Sequence, residues 1–113
     1  MPIINIKVLS VNDAFQGRRF KTKECEAYEY ELFYRLPKLT IPEGDLQIWI
    51  VFGVSNKNFD YDNGIKIFQD CLQKKYSFND KRIMRGIIDK HIVKKDNEFI
   101  AFQLISIKDN FIL

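Results

Sequence analysis

The residues able to do chemistry gather in one short run, Asp60-Tyr61-Asp62-Asn63, followed by Lys66 and Asp70. Projected as a helix, Tyr61, Ile65, Phe68, Cys71 and Leu72 form one apolar stripe. Asp62, Lys66, Gln69, Asp70 and Gln73 fall together on the opposite face. One face is thus predicted to hold the helix down while the other presents two carboxylates around a lysine. Asp60, just before the helix, is free to join Asp62 at its start. Clustered carboxylates repel one another, and a cation relieves that cost. Hard oxygen donors select Mg²⁺, with Mn²⁺ as a substitute, over zinc or copper. At a phosphodiester such a cation activates water and stabilises charge on the phosphoryl oxygens. Lys66, one turn after Asp62, is placed to offset negative charge developing in the transition state.

The same residues have simpler readings. Asp62 or Asn63 can serve only as an N-cap, and Lys66 with Asp70 can be an ordinary i,i+4 pair on a solvated face. A calcium loop does not fit. Counted from Asp60, the fifth position is Gly64, the sixth Ile65 and the twelfth Cys71 rather than glutamate.

The elements that must position this run can be read from the rest of the chain. At 113 residues the protein is expected to be one domain, and its hydrophobic fraction of 46% suits a globular fold. Ile3 to Leu9 alternates as a strand, and Ser10 to Lys21 reads as a long basic loop. Thr22 can cap a helix that runs to about Leu36, where Pro37 ends it. Pro37 to Asp45 is a connector. Leu46 to Val54 is apolar on both faces, which suggests a central strand. Asp62 or Asn63 then opens the second helix, to about Lys75. Strand patterns follow at about Ile83 to Lys95 and Glu98 to Lys108, with a turn at Asp96-Asn97. The fold class is α+β: a single domain with a mixed β-sheet and two main helices, in the order β-α-β-α-β-β.

Basic residues number 18 against 15 acidic ones, a net charge of +3. The excess is mild, but it is unevenly spread, with clusters at Arg18-Arg19-Phe20-Lys21-Thr22-Lys23, around Lys74-Lys75 and Lys81-Arg82, and from Lys90-His91 through Lys94-Lys95. Cys25 and Cys71 are too few for a disulfide scaffold or a thiolate zinc site and read as reduced core thiols. Met1 to Leu9 lacks the features of a signal peptide, and no apolar run is long enough to span a bilayer. The expectation is a cytoplasmic protein without a membrane partner. His91, the only histidine, suggests no nucleophilic triad, and Trp49 and the phenylalanines read mostly as core.

Over nearly its whole length the chain resembles the RusA family of Holliday-junction resolvases, small phage and prophage endonucleases. Ser10-Val11-Asn12 followed by Arg18-Arg19-Phe20-Lys21-Thr22 is similar to the family's N-terminal Ser-x-Asn and basic loop. Asp60-Tyr61-Asp62-Asn63-x-x-Lys66 matches its Asp-x-Asp-Asn-x-x-Lys signature, and Asp70 takes the place of the helix acid that follows. Phe78-Asn79-Asp80-Lys81-Arg82-Ile83 is similar to the segment with the third essential aspartate. The resemblance implies metal-dependent cleavage of four-way DNA junctions by a homodimer. It implies Asp60, Asp62 and Asp80 as metal-site carboxylates, Lys66 as a catalytic lysine, and Asn63 and Asp70 as supporting residues. Two departures are visible: Asn79 stands where the family often has a second acid, and Asn56-Lys57-Asn58-Phe59 carries one positive charge where the family is often arginine-rich.

Several consequences can be checked in a structure. A helix from Asp62 to Lys75 would be about 20 Å long, and the five residues to Asp80 reach about 17 Å if fully extended. Asp80 must therefore double back along the helix or complete the site of a partner subunit. Two symmetric nicks on a junction match a two-fold protein. Arg18, Arg19, Lys21 and Asn12 are the candidate DNA contacts, and Phe15 and Phe20 could wedge a branch point or simply pack. A non-catalytic branched-DNA-binding protein, or a same-fold nuclease acting on flaps or forks, are the competing expectations.

Overall fold

In a computed structural model, residues 1–17 and 20–107 are described. The chain is α+β with a mixed sheet, as expected. Its elements are β1 (Ile3–Ile4), α1 (Val11–Ala14), β2 (Phe15–Gln16), β3 (Phe20–Lys21), α2 (Lys23–Arg35), β4 (Leu46–Val54), α3 (Ile65–Tyr76), β5 (Ile83–Ile92) and β6 (Phe99–Ser106). The sheet order is β1-β6-β4-β5. β4 lies parallel to β5 and antiparallel to β6, and β6 is antiparallel to β1.

Local chemistry accounts for most boundaries. The Thr22 hydroxyl accepts from the Cys25 amide, satisfying one of the free donors at the start of α2. Leu36 closes that helix in extended geometry ahead of Pro37. β4 occupies Leu46–Val54, the span its two-faced apolar pattern predicts. The basic stretch expected to be a loop is instead organised. Ser10 caps the short α1 by accepting from the Asn12 amide, and β2 and β3 pair as a small hairpin with Gly17 at φ +73°.

One core lies between the sheet and the helices. Ile48, Ile50, Phe52 and Val54 of β4 meet Ile100 and Phe102 of β6, Cys25, Tyr28 and Leu32 of α2, and Ile67, Phe68, Cys71 and Leu72 of α3. Phe68 stands edge-on to both Phe52 (6.4 Å) and Phe102 (5.5 Å), anchoring α3 to the two central strands. Ile4, Ile6 and Val8 are buried as their alternation predicts, yet only Ile3–Ile4 pairs with β6.

The opposite sheet face carries Gln47, Trp49 and Val51 of β4, which by register stand beside Arg85, Ile87 and Asp89 of β5. Trp49 is 36% exposed there, not core, and its indole N–H donates to the Asp89 carboxylate at 2.6 Å. Among the described residues no helix is long and apolar enough to cross a membrane.

Candidate functional site

Residues 61–64 form turns, and α3 begins at Ile65. The helix therefore starts later than Asp62 or Asn63, and neither caps it by a side-chain hydrogen bond; the cap position is Gly64. This removes Tyr61 from the helical projection: it is 58% exposed instead of buried, while Ile67, absent from the predicted stripe, joins the core.

The turn is pinned to the body of the protein at several points. The Lys90 ammonium reaches from β5 to the carbonyls of Lys57 (3.2 Å) and Phe59 (2.8 Å), fixing the chain just before Asp60. Within the turn the Asn63 amide donates to the Asp60 carbonyl and the Ile65 amide to the Asp62 carbonyl. The Val11 amide donates to the Asn63 carbonyl at 2.9 Å, bringing α1 and its exposed Asn12 beside the turn. Gly64 is buried, and a Cβ there would stand 2.8 Å from a Val8 methyl and 3.1 Å from the Phe52 ring. Backbone and core thus hold the turn, and the side chains of Asp60 and Asp62 are left out of that scaffold. Both residues are exposed, and neither carboxylate has a hydrogen bond or ion pair among the described residues.

The outer face of α3 carries a connected polar chain. Lys66 bonds to Asp70 at 3.2 Å, and the Gln73 side-chain amide donates to the same Asp70 oxygen at 3.4 Å. Gln73 also accepts from the Asp80 backbone amide (2.9 Å), while the Gln69 amide donates to the Asp80 carboxylate (3.2 Å). Asp80 opens a 3₁₀ turn, Asp80–Arg82, capped by Asn79. Asp80 therefore doubles back along the helix within one chain. It rests beside Gln69, about 6 Å or one turn along the axis from Ile65. It is brought onto the face of Lys66 and Asp70 but not into one cluster with Asp60 and Asp62. Among the described residues no three acids, histidines or cysteines converge as a ready metal cage.

The candidate DNA contacts are partly in view. Arg18 and Arg19 lie outside the described residues. Lys21 extends from β3 to Glu29 at 3.0 Å, and Lys74 of α3 reaches the same carboxylate at 2.9 Å. Partial burial pushes Glu29 up, but the two ammonium groups outweigh it and hold the carboxyl below its ordinary value. Two cations thus share one anion where the hairpin, α2 and α3 meet. Phe15 and Phe20 do not pack into the core; both are exposed on the hairpin, Phe20 at 72%. Arg82 is committed elsewhere, donating to the carbonyls of Pro42 and Gly44 in the connector.

Three positioning features escaped the sequence: Lys90, Gly64, and the Gln69/Gln73 pair that seats Asp80. Gln69 and Gln73 were on the right helical face, but their partner is not a helix residue and no local spacing shows it. No known protein-family model matches the chain, and no curated protein is significantly similar to it.

Proposed function

We propose that this protein is a Mg²⁺-dependent endodeoxyribonuclease that acts as a homodimer on four-way DNA junctions and makes paired symmetric nicks. The observation that carries this reading is the pair of exposed, unpartnered carboxylates of Asp60 and Asp62 on a turn pinned at both ends, one step before Lys66. Rigid backbone below free acids suits a ligand site better than a stability device, because exposed unpaired acids add nothing to folding.

The donor type suits a hard cation: Asp60 and Asp62 offer carboxylate oxygens that no protein cation neutralises, while Asp80 stands apart from them, beside Gln69 on the face of α3 that carries Lys66 and Asp70. When bound there, Mg²⁺ supplies charge neutralisation at the phosphate and a more acidic water. Lys66 lies in the first turn of α3, its ammonium bonded to Asp70 and Asp70 in turn to Gln73. Its charge can meet the phosphoryl oxygens as negative charge grows. Asn63 fixes the turn to α1 through its carbonyl. Lys21, Asn12 and the neighbouring Arg18 and Arg19 are assigned to the phosphate backbone, where positive charge fixes register without reading sequence.

The test is cleavage of a labelled four-way junction, a flap and a linear duplex in parallel, with Mg²⁺ and with EDTA. Cleavage of the junction in preference to the others, lost in EDTA, is the expected outcome. Tight junction binding with no cut under any Mg²⁺ or Mn²⁺ concentration would make this a binding protein, and preferential flap cutting would reassign the substrate.

A further inference from the structure

β5 is the longest strand and stands at the edge of the sheet, with no strand on its outer side among the described residues. Edge strands normally carry features that discourage pairing with another chain. This one is ten residues long and exposes Met84, Ile87 and Ile92. Its open-face side chains are, in order, Arg85, Ile87, Asp89 and His91, placed there by register with Gln47, Trp49, Val51 and Gly53, and the first three form a triplet centred on Ile87. That triplet is self-complementary. If a second copy pairs antiparallel about a two-fold axis through Ile87, Arg85 of each copy falls opposite Asp89 of the other, and Ile87 meets Ile87.

We propose that two copies of this chain join edge to edge through β5 in this register, forming one continuous eight-stranded sheet. The central row then runs Trp49, Ile87, Ile87, Trp49, an apolar seam across the axis, flanked on each side by an Arg85–Asp89 pair. Shifting the axis by one residue to Ile88 sets Arg85 against His91 and Asp89 against Ile87, which loses both charge pairs. Within each copy both side chains also bond to β4: the Trp49 indole donates to Asp89, and Arg85 donates to Gln47 at 3.1 Å. An isologous contact of this kind closes on itself as a dimer and does not propagate. The axis is perpendicular to the sheet, so both copies keep their helices, and both Asp60–Asp62 turns, on the same side. This rests on the proposed function only for the expectation of a dimer; the contact itself is argued from the strand.

The test measures mass by light scattering without DNA, so its failure is separate from any failure of cleavage. The wild-type chain is expected at twice the single-chain mass. Arg85→Glu and Asp89→Arg each shift it to the single-chain mass with unchanged circular dichroism, and the double variant returns it to the dimer. As a second readout, Ile87→Cys is expected to cross-link through a short bis-maleimide, whereas His91→Cys is not, because its two copies lie far apart in this register. A monomeric wild type, a dimer indifferent to both charge reversals, or equal cross-linking at both positions would overturn the proposal.

Discussion

Gly64→Ala is expected to destabilise the protein by about 1–3 kcal/mol, as over-packed cores do. The added methyl would press on Val8 and Phe52, both of which belong to the core. Urea denaturation reads the loss directly. Asp62→Asn provides the contrast: with no partner to lose, it is expected to stay within about 0.5 kcal/mol of wild type in the same measurement. Glu29 behaves differently again. Its folded carboxyl titrates below the ordinary value, so it favours the folded state above the unfolded carboxylate value of about 4.3. That contribution fades as pH falls through the folded value. Wild type is therefore expected to melt above Glu29→Gln near neutral pH, with the gap closing in acid. A gap that persisted or widened in acid would show that Lys21 and Lys74 do not act on Glu29 as a carboxylate.

At the scale of elements, α3 depends on Phe68, which touches rings on both central strands. Phe68→Ala is expected to cost about 3–5 kcal/mol by equilibrium unfolding. Burial pushes the Cys71 thiol on the same helix up to about 12, so it should ignore a thiol reagent near neutral pH until the chain unfolds. The sequence was most readable where one segment carries its own instructions. Thr22 and Pro37 bracket α2 almost to the residue, and β4 is bounded by the ends of its apolar run. It was least readable where tertiary contacts decide. Asp62 resembles a cap, but the turn onto Val8 and Phe52 delays α3 to Ile65 and leaves Tyr61 outside. Alternation in Ile3 to Leu9 correctly reports a buried face, yet it says nothing of a ladder, and β1 stops at Ile4. Trp49 has the composition of a core residue and the position of an open-face one.

Across the whole molecule, the sheet acts as a floor with helices on one side. The Asp60–Gly64 turn is held to α1 by one backbone bond from Val11 and to the sheet by a lysine from β5. The acids of the candidate site could be listed from the sequence, because their types and spacing are local. Their arrangement could not: Asp80 reaches α3 through Gln69 and Gln73, not through another acid. The most direct test of the account is to map cuts on a four-way junction with each strand labelled in turn, in Mg²⁺, for wild type and for Asp62→Asn. Wild type is expected to nick symmetric positions on two opposing strands, and the equally folded variant to nick none. Symmetric nicking that survives Asp62→Asn would contradict it, as would a wild type that leaves all four strands intact.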